Sequence, residues 1–259
     1  MFKPADNNFE QSHFAAVLAL TKENLEKYRK EEKALSDELY TLLETYGAKD
    51  VEALSMIDNL QVMYERAQHE ASRAEKARQK PFFGRIDFVD DKHKSNDTIY
   101  IGKVGISRDV THLEVIDWRA PVANSYYESH IGEVTYSVPR EGDFVIDLKK
   151  KRTYEIKDDT LLSFFDSDVV ANDELLNRYL SQNKKAVLGE IIATIQKEQN
   201  DIIRQSPYKS IIVQGAAGSG KTTVAMHRIS YILYNYEKNF KPADFYIVGS
   251  NKLLLNYIT

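Results

Sequence analysis

From Asn8 to Lys80 the chain carries one glycine, Gly47, and no proline. Over such a stretch little interrupts an α-helix, and its Glu, Lys, Leu and Ala favour one. Hydrophobic residues recur at steps of four and three: Phe14, Leu18, Leu25, Tyr28, Leu35, Leu39, Leu42 and Tyr46, with Thr21 and Glu32 the two breaks in the seam. Beyond Gly47 a second seam runs Ala53, Ile57, Leu60, Tyr64, Ala67, Ala71, Ala74 and Arg78. Two heptad seams joined by one glycine-containing turn predict an antiparallel coiled-coil hairpin over residues 1–80. Folding at about Gly47 sets the alanine row beside the start of the first helix, where small side chains allow close approach. At about 1.5 Å per residue each arm is roughly 50 Å long.

Charge is uneven along this hairpin. Around the turn stand Asp37, Glu38, Glu44, Asp50, Glu52 and Asp58 against Lys49 alone. Toward the base stand Arg66, Arg73, Lys76, Arg78, Lys80 and Arg85. Two readings stay open: a solvated helical face, or an acidic tip held far from the body to reach into a partner.

Pro81 ends the helical pattern. GRIDFV, TIYIGKVGI, HLEVIDW, GEVTYSV and DFVIDLKKKRTYEI then alternate as strands do, with turn formers between them. They predict a small antiparallel β domain over 81–156, a barrel or curled sheet. Trp118, the one tryptophan, reads as a core or interface residue. Residues 157–171 read as a connector, followed by helix from Asn172 to the stop at Ser206-Pro207, with a break at Gly189. SIIVQ and FYIVG read as buried strands flanking a helix over 221–236, a βαβ unit with a parallel sheet. The expected class is multi-domain α+β, with residues 157–259 holding a connector helix and the first part of a P-loop α/β domain.

Composition narrows the function classes. There is no cysteine, so neither a disulfide nor a thiolate metal site can form within the chain, and a reducing cytoplasm is expected. The net charge of −4 supplies no global basic field for nucleic acid, so any such site must be local. No apolar run is long enough to span a membrane.

Gly215-Ala216-Ala217-Gly218-Ser219-Gly220-Lys221-Thr222 fits G-x-x-x-x-G-K-[ST] without deviation. The glycines let backbone N–H groups turn inward around phosphate oxygens, and the following helix start adds its positive dipole end. Lys221 reaches the β- and γ-phosphates, and Thr222 places its hydroxyl on Mg²⁺, so ATP with Mg²⁺ is the expected ligand. Hydrolysis also needs a second acidic Mg²⁺ ligand, a water-positioning group and an arginine finger. Nothing after Thr222 offers a strand ending in Asp or Glu, and Asp244 precedes its run. The chain therefore reads as the N-terminal part of a longer protein, inactive in hydrolysis by itself.

The string GAAGSGKTTVAMHRISYIL followed by FYIVGSNKLL resembles the opening of the UvrD/Rep type of superfamily 1 helicase. His227-Arg228-Ile229 stands at the family's HRI turn of helix, and Ser250-Asn251-Lys252 at its motif Ia, which meets single-stranded DNA. Thr223 takes the place after the P-loop threonine, where UvrD-type enzymes commonly have arginine near the base. The family's Q motif has a glutamine about twenty residues before the P-loop lysine, and Gln199 in TIQKEQNDII occupies that place. The resemblance gives Gln199 the adenine edge, which an amide suits as donor and acceptor. Without it, Gln199 reads as a solvent-facing helix residue.

Hairpin, β domain with IDWRAPVANSYYE, TIQKEQ and P-loop, in that order, are similar to the HelD group, bacterial UvrD-like factors that bind RNA polymerase and recycle stalled complexes. The resemblance implies a cytoplasmic, monomeric, ATP-driven remodelling factor whose hairpin enters the polymerase secondary channel. Glu44, Asp50 and Glu52 then form a tip suited to the polymerase's catalytic Mg²⁺. Two other readings remain open: a DNA helicase that unwinds duplex by 3′–5′ translocation, and a binding module that only docks.

Overall fold

The structure is a computed structural model that describes residues 7–46, 51–90, 94–109, 111–128, 130–157, 159–166 and 197–249, with the side chains of residues 51 and 52 left out. It is α+β and divides into two compact units: residues 1–118, 130–134 and 145–169, and residues 119–129, 135–144 and 170–259.

Helix α1 spans Asn7–Tyr46 and α2 spans Val51–Gln79. Every residue of the first seam except Tyr46 is buried or half-buried, and so is every residue of the second. Phe14, Val17 and Leu20 near the start of α1 share a core with Ala77 near the end of α2, so the two helices run antiparallel. Ala67, Ala71, Ala74 and Ala77 are all buried, as close packing requires. Arg29 and Glu75 add an exposed inter-helix ion pair at 3.0 Å. Among the described residues no helix is long and apolar enough to cross a membrane.

Seven strands follow: β1 Gly84–Asp90, β2 Ser95–Gly102, β3 Ile106–Ser107, β4 Leu113–Asp117, β5 Gly132–Val138, β6 Gly142–Lys157 and β7 Thr160–Asp166. They form one sheet in the order β3-β4-β2-β1-β6-β5, with β7 also pairing β6. The sheet is mixed, not purely antiparallel. Tyr100, Ile101 and Gly102 run parallel to Val115, Ile116 and Asp117. The chain reverses after β2 into the short β3 and reverses again into β4, which β3 pairs antiparallel. Two reversals return β4 in the direction of β2, and a periodicity reading does not count reversals. Gly102 is obligatory in this crossing, since a Cβ there would stand 2.5 Å from the Pro81 carbonyl.

Residues expected to connect, 160–166, are strand β7. Tyr154 opposes Phe164, and Ile156 opposes Leu161 across the ladder. Its sequence TLLSFFD alternates only partly, which is why it reads as a linker.

The expected βαβ unit is not formed. SIIVQ and FYIVG are not strands, and Ile212 and Val248 are 91% and 96% exposed. A strand exists through pairing, and no described run pairs with either. The intervening helix does form, as α3, Lys221–Asn235. Of the helix expected from Asn172, residues 197–204 are described and helical; Gly189 lies outside the described residues.

Beneath the hairpin base lies a feature that composition hid. Arg85 on β1 stands opposite Arg152 on β6, and both side chains are essentially inaccessible. Like charges paired directly across a ladder repel. Glu10 from the first turn of α1 settles this. Its Oε1 accepts from Arg85 at 2.5 Å and from Arg152 at 2.7 Å, and its Oε2 accepts from the Tyr154 hydroxyl at 2.7 Å and the Tyr100 hydroxyl at 3.3 Å. Each arginine also has its own carboxylate fork: Asp87 at 2.8 Å and 2.8 Å for Arg85, Asp166 at 2.5 Å and 2.8 Å for Arg152. Burial alone would weaken both guanidinium charges, but these carboxylates hold them above the ordinary arginine range. Burial and the Glu10 charge push the Tyr154 and Tyr100 hydroxyls well up, so both stay protonated donors. Arg85 is thus a core residue, not part of a solvated basic face.

Candidate functional site

The P-loop lies in the second unit, after the helical segment 197–204 and before α3. Gly218 and Gly220 both take φ near +82°, the left-handed region that favours glycine. A Cβ on Gly215 would stand 2.6 Å from the Ser219 hydroxyl, so the loop closes on itself only with glycine there. Gly220 is the N-cap of α3, and the Val224 N–H bonds its carbonyl at 2.9 Å. The Lys221 ammonium folds into the loop, donating to the carbonyls of Gly215 at 2.8 Å and Ala216 at 2.7 Å. The loop is exposed, as are Thr222 and Thr223 on the first turn of α3.

Gln199 is brought to this loop from the helix before it. Its Nε2 donates to the Ser219 carbonyl at 3.2 Å, and a Cβ on Gly220 would stand 3.0 Å from that nitrogen. The absence of a side chain at Gly220 thus makes room for Gln199. Gln199 thus lies beside the loop, and its hydrogen bond here is to backbone.

Glu44 is exposed near the end of α1, in the first unit. Asp50, Ser250, Asn251 and Lys252 lie outside the described residues, as does the side chain of Glu52.

Several residues beside the loop make contacts to which the motif reading gave no role. Arg228, the middle of the HRI triplet, donates to the carbonyls of Ile202 at 3.1 Å, Ile203 at 3.2 Å, Gln205 at 2.7 Å and Ser206 at 3.0 Å. The last carbonyls of a helix have no partners of their own, and a cation there also meets the negative dipole end. Burial lowers the Arg228 pKa from the ordinary arginine value. Arg228 therefore ties the end of the Gln199 helix to α3. Lys197, Asn200 and Arg204 form one face of that helix, at steps of three and four. They meet the residues after Trp118. Lys197 bonds Glu128 at 2.9 Å, Asn200 bonds Asn124 at 2.6 Å, and Arg204 bonds the Ala120 carbonyl at 3.2 Å. The Glu128 hydrogen bond raises the Lys197 pKa, and burial raises that of Asp201 beside it. The i, i+3, i+7 spacing of these polar residues was the available signal. Their partners, some 70 to 85 positions earlier, had none.

Gly218 has open space where a Cβ would stand, and the lysine amine already lies among the loop carbonyls. Comparison with curated proteins gives no match. A sequence model described as DNA helicase IV HelD, N-terminal domain, matches residues 8–183. That match covers more than half of the 259 residues, and the chain belongs to the HelD helicase family.

Proposed function

We propose that this chain supplies the partner-binding arm and the phosphate loop of an ATP-dependent HelD-type remodelling factor for bacterial RNA polymerase. The observation that carries the reading is the shape of the first unit. A pair of helices, the longer with 40 residues and roughly 60 Å in length, is clamped at its base by buried charge and is exposed and acid-rich toward the turn. Such an arm fits a narrow channel lined by cations or holding Mg²⁺, as the secondary channel of a polymerase is. Family membership supports the reading, since the arm lies within the matched region.

At the loop, Gly215, Gly218, Ser219, Gly220 and Lys221 would hold the β- and γ-phosphates of ATP, Thr222 and Thr223 stand at the helix start beside them, and Gln199 would meet the adenine. ATP with Mg²⁺, when bound and hydrolysed, would supply the free energy for movement, and Thr222 would be a metal ligand. This chain's residues contribute binding and orientation. A second reading, unwinding of duplex DNA, is favoured by the family's description as a DNA helicase. Ser250, Asn251 and Lys252 would then meet single-stranded DNA.

The test is capture of purified RNA polymerase by the chain. We expect charge reversal at Glu44, Asp50 and Glu52 to abolish capture, and capture indifferent to the tip would sink the arm reading. For the loop, Lys221→Ala should lower affinity for Mg·ATP at least tenfold, about 1.4 kcal/mol, by equilibrium titration. Its stability should shift by less than about 0.5 kcal/mol, because the residue is exposed.

A further inference from the structure

The segment 119–128, which follows β4 in the chain, belongs to the same compact unit as the phosphate loop. It opens with Arg119-Ala120 and continues as a 3-10 turn, Pro121–Tyr127. Its inner residues Ala123 and Ser125 are fully buried. It grips two helices at once. On the Gln199 helix the grips are Glu128 to Lys197, Asn124 to Asn200 and the Ala120 carbonyl to Arg204, spread over the whole described length. On α3, Arg119 donates to the Ser230 hydroxyl at 3.1 Å and lies 4.7 Å over the Tyr234 ring, while Asn235 donates to the Arg119 carbonyl at 3.0 Å. Arg204 stacks 5.2 Å over Tyr231 of α3, closing the triangle.

The two gripped helices carry the two halves of the nucleotide site. α3 begins at Lys221, and the other helix carries Gln199, whose amide donates to Ser219 of the loop. Reading a base edge requires an amide held to a fraction of an ångström, whereas a phosphate held by several loop N–H groups tolerates more. Asn200 is 4% exposed, so the hydrogen bond to Asn124 cannot be replaced by water without moving the helix.

We propose that segment 119–128 is a brace that sets base selectivity, with Asn124 and Glu128 as positioning residues that touch no nucleotide. The inference rests on the reading of the loop as an adenine-nucleotide site. Three contacts fix the angle of the Gln199 helix, and Arg228 fixes its end. Loosening the brace frees the amide but leaves the phosphate loop as it is.

The experiment is equilibrium titration of the full 259-residue chain with Mg·ATP, Mg·GTP and inorganic triphosphate, together with amide exchange over residues 197–205. Wild type should prefer ATP. Asn124→Ala should lower the ATP-to-GTP preference about tenfold, with triphosphate affinity within about twofold of wild type and faster exchange over 197–205. Asn124→Asp keeps an acceptor for the Asn200 amide and should restore the preference. Glu128→Ala, at the less buried end, gives the same direction and stands in if Asn124→Ala does not fold. Unchanged selectivity in both alanine variants overturns the brace, as does an equal loss for all three ligands. A wild type that binds triphosphate but does not distinguish ATP from GTP also overturns it. A wild type that binds none of the three overturns the nucleotide reading itself, and the brace with it.

Discussion

The base of the arm and the approach to the phosphate loop each centre on arginine, but on different partners. Arg85 and Arg152 are essentially inaccessible and face three carboxylates. Arg228 is half-buried and faces four main-chain carbonyls. The first arrangement trades full charges in a dry interior, where losing one partner strands the others. The second trades a charge for partial dipoles near water, where loss of the arginine leaves carbonyls that solvent can reach. The arm's base should therefore behave as a lock, and the Gln199 helix as an adjustable joint.

Glu10→Gln tests the lock. It keeps shape and removes the charge between two opposed arginines, so we expect a loss of about 3–5 kcal/mol in denaturant unfolding. A loss under about 1 kcal/mol would mean that the two arginines tolerate each other and that the comparison fails. Acid gives a milder attack on the same lock. Burial pushes the Asp166 pKa up, but the hydrogen bonds and charge of Arg152, with Lys150, hold it below its ordinary 3.8. A carboxyl lowered on folding adds stability above its unfolded pKa and loses it as pH falls through the folded one. Unfolding free energy should thus be level above pH 3.8 and fall below it, and Asp166→Asn should be less stable at neutral pH and flatten the decline.

Arg228→Lys probes the joint. A lysine can reach fewer carbonyls, and we expect local opening about 1 kcal/mol easier, roughly fivefold faster amide exchange over 197–205, with global unfolding unmoved. Global destabilisation as large as that of Glu10→Gln would erase the distinction between lock and joint. The smallest effect belongs to the apolar runs beside the loop. Ile212→Ser and Val248→Ser should change stability by less than about 0.5 kcal/mol, since both side chains are almost fully exposed. The same changes should slow aggregation measured by light scattering, because an unpaired apolar run is a template for pairing.

Much of the first unit was legible in advance. The two seams mark the buried side of α1 and α2 nearly residue by residue, because a helix face is a local repeat of the chain. Five strands fall where alternation put them. What escaped was relational. The parallel pairing of β2 and β4 depends on a two-residue strand between them, and β7 depends on β6 being long enough to pair it. Glu10 carries no pattern of its own in the sequence. Only the opposition of Arg85 and Arg152 across β1 and β6 makes it indispensable.

At the candidate site the division is similar. The eight-residue loop and the place of Gln199 are local spacings, and both could be read. The expected strands SIIVQ and FYIVG could not be settled that way, since apolarity qualifies a run for a sheet but only a partner makes it one. The brace was invisible for the same reason as the lock.

By itself the sequence determined the helical hairpin, the β-rich character that follows it and the presence of a P-loop motif, since each is written in a periodicity or a fixed spacing. The tertiary structure alone decided which charges are buried, which strands pair, and that residues 119–128 stand against the Gln199 helix. Those outcomes depend on separate segments of the chain meeting in space, and such a meeting leaves no local repeat in the sequence.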